Sequence, residues 1–227
     1  MKTLIGFLLV TMLPCSVSAQ TRGVAAYFRA VYTQVNVESQ KMAEMCYPIT
    51  SFNKSYYGIG AEAYYRSGKN IFGWDGFVAA HGVRSEGVYY AEPFVVLSTL
   101  RIGYIVYETP GFFVYPGFGA GAGLLGITTY NQPDNIKNDI NTMYLLTPSA
   151  EFGINADKAV YTFSNGRAVG AFLFGIRAGY RYSAGSQNWK KVADNNLPKV
   201  KMAPRGFYLG ISLGISNFRP DKAAADK

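Results

Sequence analysis

The stretch RGFYLGISLGISN, residues 205–217, alternates without a break. Phe207, Leu209, Ile211, Leu213 and Ile215 share one parity; Tyr208, Gly210, Ser212, Gly214 and Ser216 share the other. A period of two puts the two sets on opposite faces of an extended strand. A helix would scatter the five large residues around its axis, and the glycines would weaken it. The segment reads as a strand with one bulky apolar face and one small or polar face.

The pattern recurs upstream. Phe172, Phe174, Ile176, Ala178, Tyr180 and Tyr182 oppose Gly175, Arg177, Gly179 and Arg181. Tyr144, Leu146, Ala150, Phe152 and Ile154 oppose Thr147, Ser149, Glu151, Gly153 and Asn155. Tyr57, Ile59, Ala61, Ala63 and Tyr65 oppose Gly58, Gly60, Glu62, Tyr64 and Arg66. Val96, Leu100, Ile102, Tyr104 and Val106 oppose Thr99, Arg101 and Gly103, and residues 117–123 set four glycines against Phe118, Ala120 and Ala122. Residues 71–83 alternate weakly, with Asp75 and His81 opposite Phe72, Trp74, Val78 and Ala80. The stretch 23–37 alternates least and is compatible with a first strand or a short helix. Eight segments follow: 23–37, 55–66, 71–83, 87–106, 111–129, 142–155, 166–182 and 205–217.

The polarity of the faces decides what these strands enclose. A soluble sandwich or lipocalin-like barrel would bury the apolar face and wet a polar one. Here the second face is Gly, Ser and Thr with isolated charges, which suits a crowded narrow interior better than a solvated surface. Segments of about ten residues, apolar outward and polar inward, are the pattern of a transmembrane barrel. Composition agrees: 49% of the 227 residues are hydrophobic, 15% aromatic and only 16% charged, with 25 Gly and 18 Tyr. That is too apolar for disorder, and past the leader no apolar run approaches the 18 residues of a membrane helix.

The leader itself is an address. Lys2, the apolar run Leu4–Leu13 and the small-residue site Val17-Ser18-Ala19 make a secretory signal with cleavage after Ala19. Pro14 before Cys15 argues against a lipoprotein. Cleavage leaves 208 residues (227 less 19), lowers the formal charge from +8 to +7 and leaves Cys46 alone, so no internal disulfide can form. In a bilayer an unpaired edge strand is not tolerated, so the sheet must close. An even strand number then favours counting 23–37 as the first strand. Short turns at Ser67–Asn70, Glu108–Gly111 and Ser164–Gly166 alternate with long connections at 38–54, 130–141 and 183–204, as on the periplasmic and extracellular sides of such barrels. The connection at Arg84–Glu86 is short for its side. The domain plan is a signal peptide over 1–19, a barrel over 20–218 and a polar tail over 219–227.

Signal, Gly-rich alternating strands and a final amphipathic strand resemble the small bacterial outer-membrane barrels of the OmpA/OmpX/OmpW type, over nearly the whole mature chain and by pattern rather than motif. The resemblance implies an eight-stranded antiparallel transmembrane β-barrel in the outer membrane of a Gram-negative bacterium. Such barrels usually end in an aromatic on the apolar parity. Phe218 lies on the other parity, and Arg219 to Lys227 continue as a polar tail.

Candidate functional residues are few. Glu62, Arg66, Arg101, Glu151, Arg177 and Arg181 would project inward as a paired network, with two carboxylates among four arginines leaving an excess of positive charge. The alternative is an anion-favouring constriction. His81 is the sole histidine. With Ser85 and Glu86 it makes a hydrolytic triad conceivable, but all three lie within six residues where alternation turns neighbours apart. No catalytic role is expected. Cys46 offers no zinc framework, and the Gly117–Gly121 run lacks the helix and acidic partner of a dinucleotide site; no cofactor or metal is expected. Lys190, Lys191, Lys199, Lys201 and Arg205 form a basic loop suited to the phosphates of lipopolysaccharide or an acidic partner. Trp74 and Trp189 would sit in interfacial girdles. Outer-membrane lipid, lipopolysaccharide and a protein partner in a surface or secretion complex are the expected contacts; nucleic acid is not. The function reading is non-catalytic: a structural, adhesive or partner-binding barrel. The alternatives are an OmpW-like channel for small or hydrophobic compounds, or a barrel component or assembly factor of a secretion or surface machine.

Overall fold

The computed structural model describes residues 21–37, 54–131, 138–164, 169–183, 190–191 and 202–220. The signal peptide over 1–19, Cys46, Trp189, Lys199, Lys201, the turn at 165–166 and residues 221–227 lie outside the described residues. Eight long strands form the wall: β1 (Thr21–Gln34), β2 (Ser55–Ser67), β3 (Asn70–Ala80), β4 (Tyr89–Tyr104), β5 (Phe112–Asn131), β6 (Asn138–Ser164), β7 (Val169–Ser183) and β8 (Gly206–Pro220). Each is antiparallel to the next, and β8 pairs with β1 from Thr21↔Pro220 to Thr33↔Tyr208. The sheet is therefore a closed barrel, and the weakly patterned first segment is a full strand of it.

Following directly opposed residues once around the wall measures the stagger. The path runs Leu173, Gly214, Tyr27, Glu62, Asp75, Thr99, Gly121, Ser149 and back to β7 at Ser183. It returns ten residues from its start, which for eight strands means a strand tilt of about 35–45°. Every residue on this path belongs to the inward parity. A barrel of this size has an interior just wide enough for side chains.

Side-chain size follows the parity read from the sequence. Phe207, Leu209, Ile211, Leu213 and Ile215 are exposed on the outer wall, while Tyr208, Ser212 and Ser216 are buried inside. The glycines of β5 make room for long inward neighbours. A Cβ on Gly119 would stand 2.8 Å from Glu151 Cγ and 3.2 Å from Arg101 Cγ. The short turns at one end contain Gly68 (φ 61°) and Gly111 (φ 75°), the left-handed conformation that glycine adopts without strain.

Three features differ from expectation. First, β3 stops at Ala80, and the expected turn Arg84–Glu86 is itself extended, pairing with Tyr89–Ala91 around Gly87. Second, β4, β5 and β6 outrun their neighbours at the long-loop end. β3 ends opposite Phe94 and β7 ends opposite Ser149, yet the β5–β6 ladder continues to Asn131↔Asn138 and β4 stays paired to Tyr89. These three strands form a blade, with Lys190–Lys191 paired along its β6 edge. Apolar residues on its inner face, among them Ala91, Leu125 and Ile127, are fully buried within segments read as strands, and the ladder extends beyond them into the expected loop 130–141 at residues 130–131 and 138–141. Third, Trp74 is the fifth of eleven residues in β3 and so lies in mid-wall rather than in a girdle. Its indole packs over Gly76, and its Nε1–H donates to Ser98 Oγ at 2.9 Å.

Candidate functional site in the barrel interior

The interior is built in three layers. At the long-loop end Val31, Tyr56, Phe77, Leu97, Leu125, Ile127 and Leu145 belong to one buried apolar cluster. At the short-turn end Tyr27, Tyr64, Ile71, Ile105, Phe113 and Tyr115 belong to a second, with Phe218 packed against it. Between them lies an ionic belt.

The belt is a chain of alternating charge across the lumen. Asp157 Oδ1 accepts from Arg177 Nη1 at 2.7 Å, and Arg177 Nε donates to Glu62 Oε2 at 2.9 Å. Arg101 Nη1 lies 3.6 Å from Glu62, and its Nε lies 3.0 Å from Glu151 Oε1. Glu151 Oε2 then accepts from Arg181 Nη2 at 2.8 Å, and Arg181 Nη1 donates to Thr33 Oγ1 at 2.9 Å. Asp75 joins at Arg101 (3.6 Å) and is paired with Arg29. The remaining predicted residue, Arg66, stands apart near the short-turn end. It is paired with Glu108 Oε1 at 2.6 Å and also donates through Nε to the Gly68 carbonyl.

All six residues singled out from the sequence are buried. The expected positive excess is corrected. Asp75 and Asp157 also point inward, and so does Arg29, giving Glu62, Asp75, Glu151 and Asp157 against Arg29, Arg101, Arg177 and Arg181. Among the described residues the belt is neutral, and Arg66–Glu108 is a separate neutral pair. The missed members lie where alternation is weakest: Arg29 in the doubtful first strand, Asp75 in the faint 71–83 segment, and Asp157 beyond the predicted end of its strand. Continuing the parity of Glu151, Gly153 and Asn155 by one step would have placed Asp157.

Aromatic faces support the cations. Arg177 lies over Tyr27 (5.0 Å), Arg181 lies over Phe77 (4.7 Å) and Tyr208 (4.8 Å), and Arg66 lies over Phe113 (5.1 Å) and Phe218 (5.8 Å). Tyr208, on the small or polar parity of its strand, and Tyr27 face inward to these cations. A guanidinium both stacks on a ring and forks to carboxylates, so the belt needs π-surfaces above and below it. Phe218, off parity for a final wall aromatic, has this inward use.

The belt borders a small void. A void bordered by Glu62, Tyr64, Arg101, Tyr115 and Asn155 measures about 10 Å³, roughly one water. Chemically the arrangement can stiffen and block; each carboxylate is engaged by an arginine rather than held for proton transfer.

The remaining candidates sit at the long-loop rim. His81 Nδ1 contacts the Ser55 carbonyl oxygen at 2.6 Å, and its Nε2 contacts Arg84 Nη2 at 2.8 Å. Ser85 and Glu86 are exposed on the adjoining hairpin, so the triad is not assembled. Arg205 is exposed, with its guanidinium 4.9 Å from the Tyr182 ring centre. Lys190 and Lys191 have their backbone in the strand paired to β6.

No family model and no curated protein matches the chain. Among solved structures the chain is similar to Ail, the attachment invasion locus protein of Yersinia pestis, at 10% identity and a TM-score of 0.45, covering 88% of this chain and 99% of that one. It is also similar to a major outer membrane protein of Thermus thermophilus, at 11% identity and a TM-score of 0.47, covering 86% and 99%. A third likeness is to Neisserial surface protein A, at 13% identity and a TM-score of 0.40, covering 86% and 96%.

Proposed function

We propose that the chain is a non-catalytic outer-membrane β-barrel with a sealed lumen, which acts through its outer rim by binding a partner. The observation that carries this reading is the inverted polarity of the wall. Large hydrophobic side chains on all eight strands face outward, including Leu100 at 71% and Leu213 at 66% exposure, while arginines and carboxylates are enclosed. Monomeric soluble proteins rarely expose a contiguous apolar surface of such extent, and strands of 11 or more residues match or exceed the nine to eleven that span a bilayer. The outward face becomes mixed on the blade, where Thr128 and Thr142 hydroxyls bond at 3.2 Å beside exposed Ile140, and Tyr130, itself buried, donates to Glu92 at 2.6 Å. That change supports a blade standing in water beyond the membrane.

The layered interior favours a binding role over an OmpW-like channel, since solute would have to break charge pairs and displace two apolar clusters. A blade with hydroxyl- and tyrosine-rich outer face is suited to a protein partner, including a component of a surface machine. Arg205, held against Tyr182, extends the proposed contact with lipopolysaccharide phosphates. Membrane fractionation with planar-bilayer recording tests the reading. The expected result is an outer-membrane, heat-modifiable protein without steady openings. Recovery as a soluble periplasmic protein would replace it with a lipocalin-like carrier, and sustained anion-selective conductance would replace it with a pore.

A further inference from the structure

On the outer wall, near the short-turn end where β8 meets β1, the surface is concave. A groove of about 760 Å³ is lined by the small side chains of Ala26 and Ala63 and by the large ones of Tyr65, Phe72, Phe172 and Ile215. Ala26 stands directly opposite both Ala63 and Ile215, so two adjacent strands both present a methyl where most of the wall presents bulk. The volume lies within the ~300–1,000 Å³ range of sites that enclose a small ligand.

The chemistry changes at one end of the groove. Asn217, also in its lining, is exposed on the outward parity of β8, which is apolar from Phe207 to Ile215. It faces Val24 across the β8–β1 seam. Arg22, the next outward residue of β1 toward the chain's start, is exposed beyond it. An apolar trough leading to an amide and then to a guanidinium follows the order of groups in a glycerophospholipid. The hydrocarbon chain meets alanine and aromatic walls, the ester region meets an amide that both donates and accepts, and the phosphate meets a cation that forks to its oxygens.

We infer that this groove is a site for one glycerophospholipid, with an acyl chain over Ala26 and Ala63 and its ester and phosphate at Asn217 and Arg22. The inference rests on the membrane reading above.

The test is native mass spectrometry of the detergent-solubilised full-length mature chain titrated with 16:0/18:1 phosphatidylethanolamine. The wild type is expected to retain one lipid per barrel. Ala26→Trp/Ala63→Trp fills the trough from the outside and should lose that adduct, while Ala178→Trp, exposed elsewhere on the wall, should keep it. Asn217→Ala should keep an adduct but hold it more weakly. Heat-modifiable migration of each variant verifies that the barrel has formed. If the double variant retains lipid as the wild type does, or if the groove instead brings two copies together as a dimer that the double variant abolishes, the inference is overturned while the membrane reading stands. A chain that is soluble without detergent overturns both.

Discussion

Arg177 is fully buried, with Glu62 at 2.9 Å and Asp157 at 2.7 Å as its partners. Its parity was legible in the sequence, because Gly175, Arg177, Gly179 and Arg181 alternate with Phe174, Ile176, Ala178, Tyr180 and Tyr182. Its partners were only half legible, since Asp157 falls past the predicted strand end. Replacing Arg177 by Leu would leave two buried carboxylates facing each other. Breaking a buried pair in this way costs about 3–5 kcal/mol, whereas replacing all members by apolar groups of similar volume is often neutral. Arg177→Leu should therefore lower the urea midpoint of reversible unfolding in lipid vesicles markedly. Asp157→Leu/Arg177→Met, which removes one charge of each sign and leaves Glu62 beside Arg101, should recover much of that loss. A single variant as stable as wild type would mean that the belt is hydrated and not closed.

At the scale of the element, alternation determines which face of a strand looks where but not where each strand stops. The pattern marks β8 over 205–217, and the strand runs from Gly206 to Pro220; it marks β6 over 142–155, and the strand runs from Asn138 to Ser164. The difference has a physical source. Alternation is visible only where one side is bulky and the other small, and the missed start of β6, Asn138-Asp139-Ile140-Asn141, carries one bulky residue among four. The period is lost there from the sequence while the ladder continues to Asn131↔Asn138. Single-cysteine labelling along β8 checks the parity directly, in a Cys46→Ser background. Bilayer-borne quenchers should attenuate a fluorophore at Leu209, Ile211 and Leu213, and should spare one at Gly210 or Ser212. Uniform quenching at successive positions would indicate a strand that is not part of a sealed wall.

The whole molecule depends on one seam. Seven of the eight strand pairings join strands that follow one another in the chain, and turns help to set them. β1 and β8 lie at opposite ends, and only closure brings them together. The sequence hinted at this pairing through the argument that a membrane sheet has no free edge, while Arg177 and Arg181 show what closure supplies. Both come from β7, and they reach Glu62 on β2 and Thr33 on β1. The belt thus ties strands across the seam, and its charge balance is complete only in the closed form. Phe28 and Leu213 are directly opposed on the outer faces of β1 and β8. Directly opposed residues of an antiparallel pair stand about 4.5–5.5 Å apart at Cα, within the reach of a disulfide. In a Cys46→Ser background, Phe28→Cys/Leu213→Cys should therefore crosslink on mild oxidation after insertion into vesicles. The product should migrate as a compact species even after boiling without reductant. In the unfolded chain the two cysteines lie 185 positions apart (213 less 28) and should not pair efficiently. A folded, heat-modifiable protein that failed to crosslink at this pair would mean that the barrel closes in another register, and the ten-residue stagger and the partners in the belt would then have to change with it.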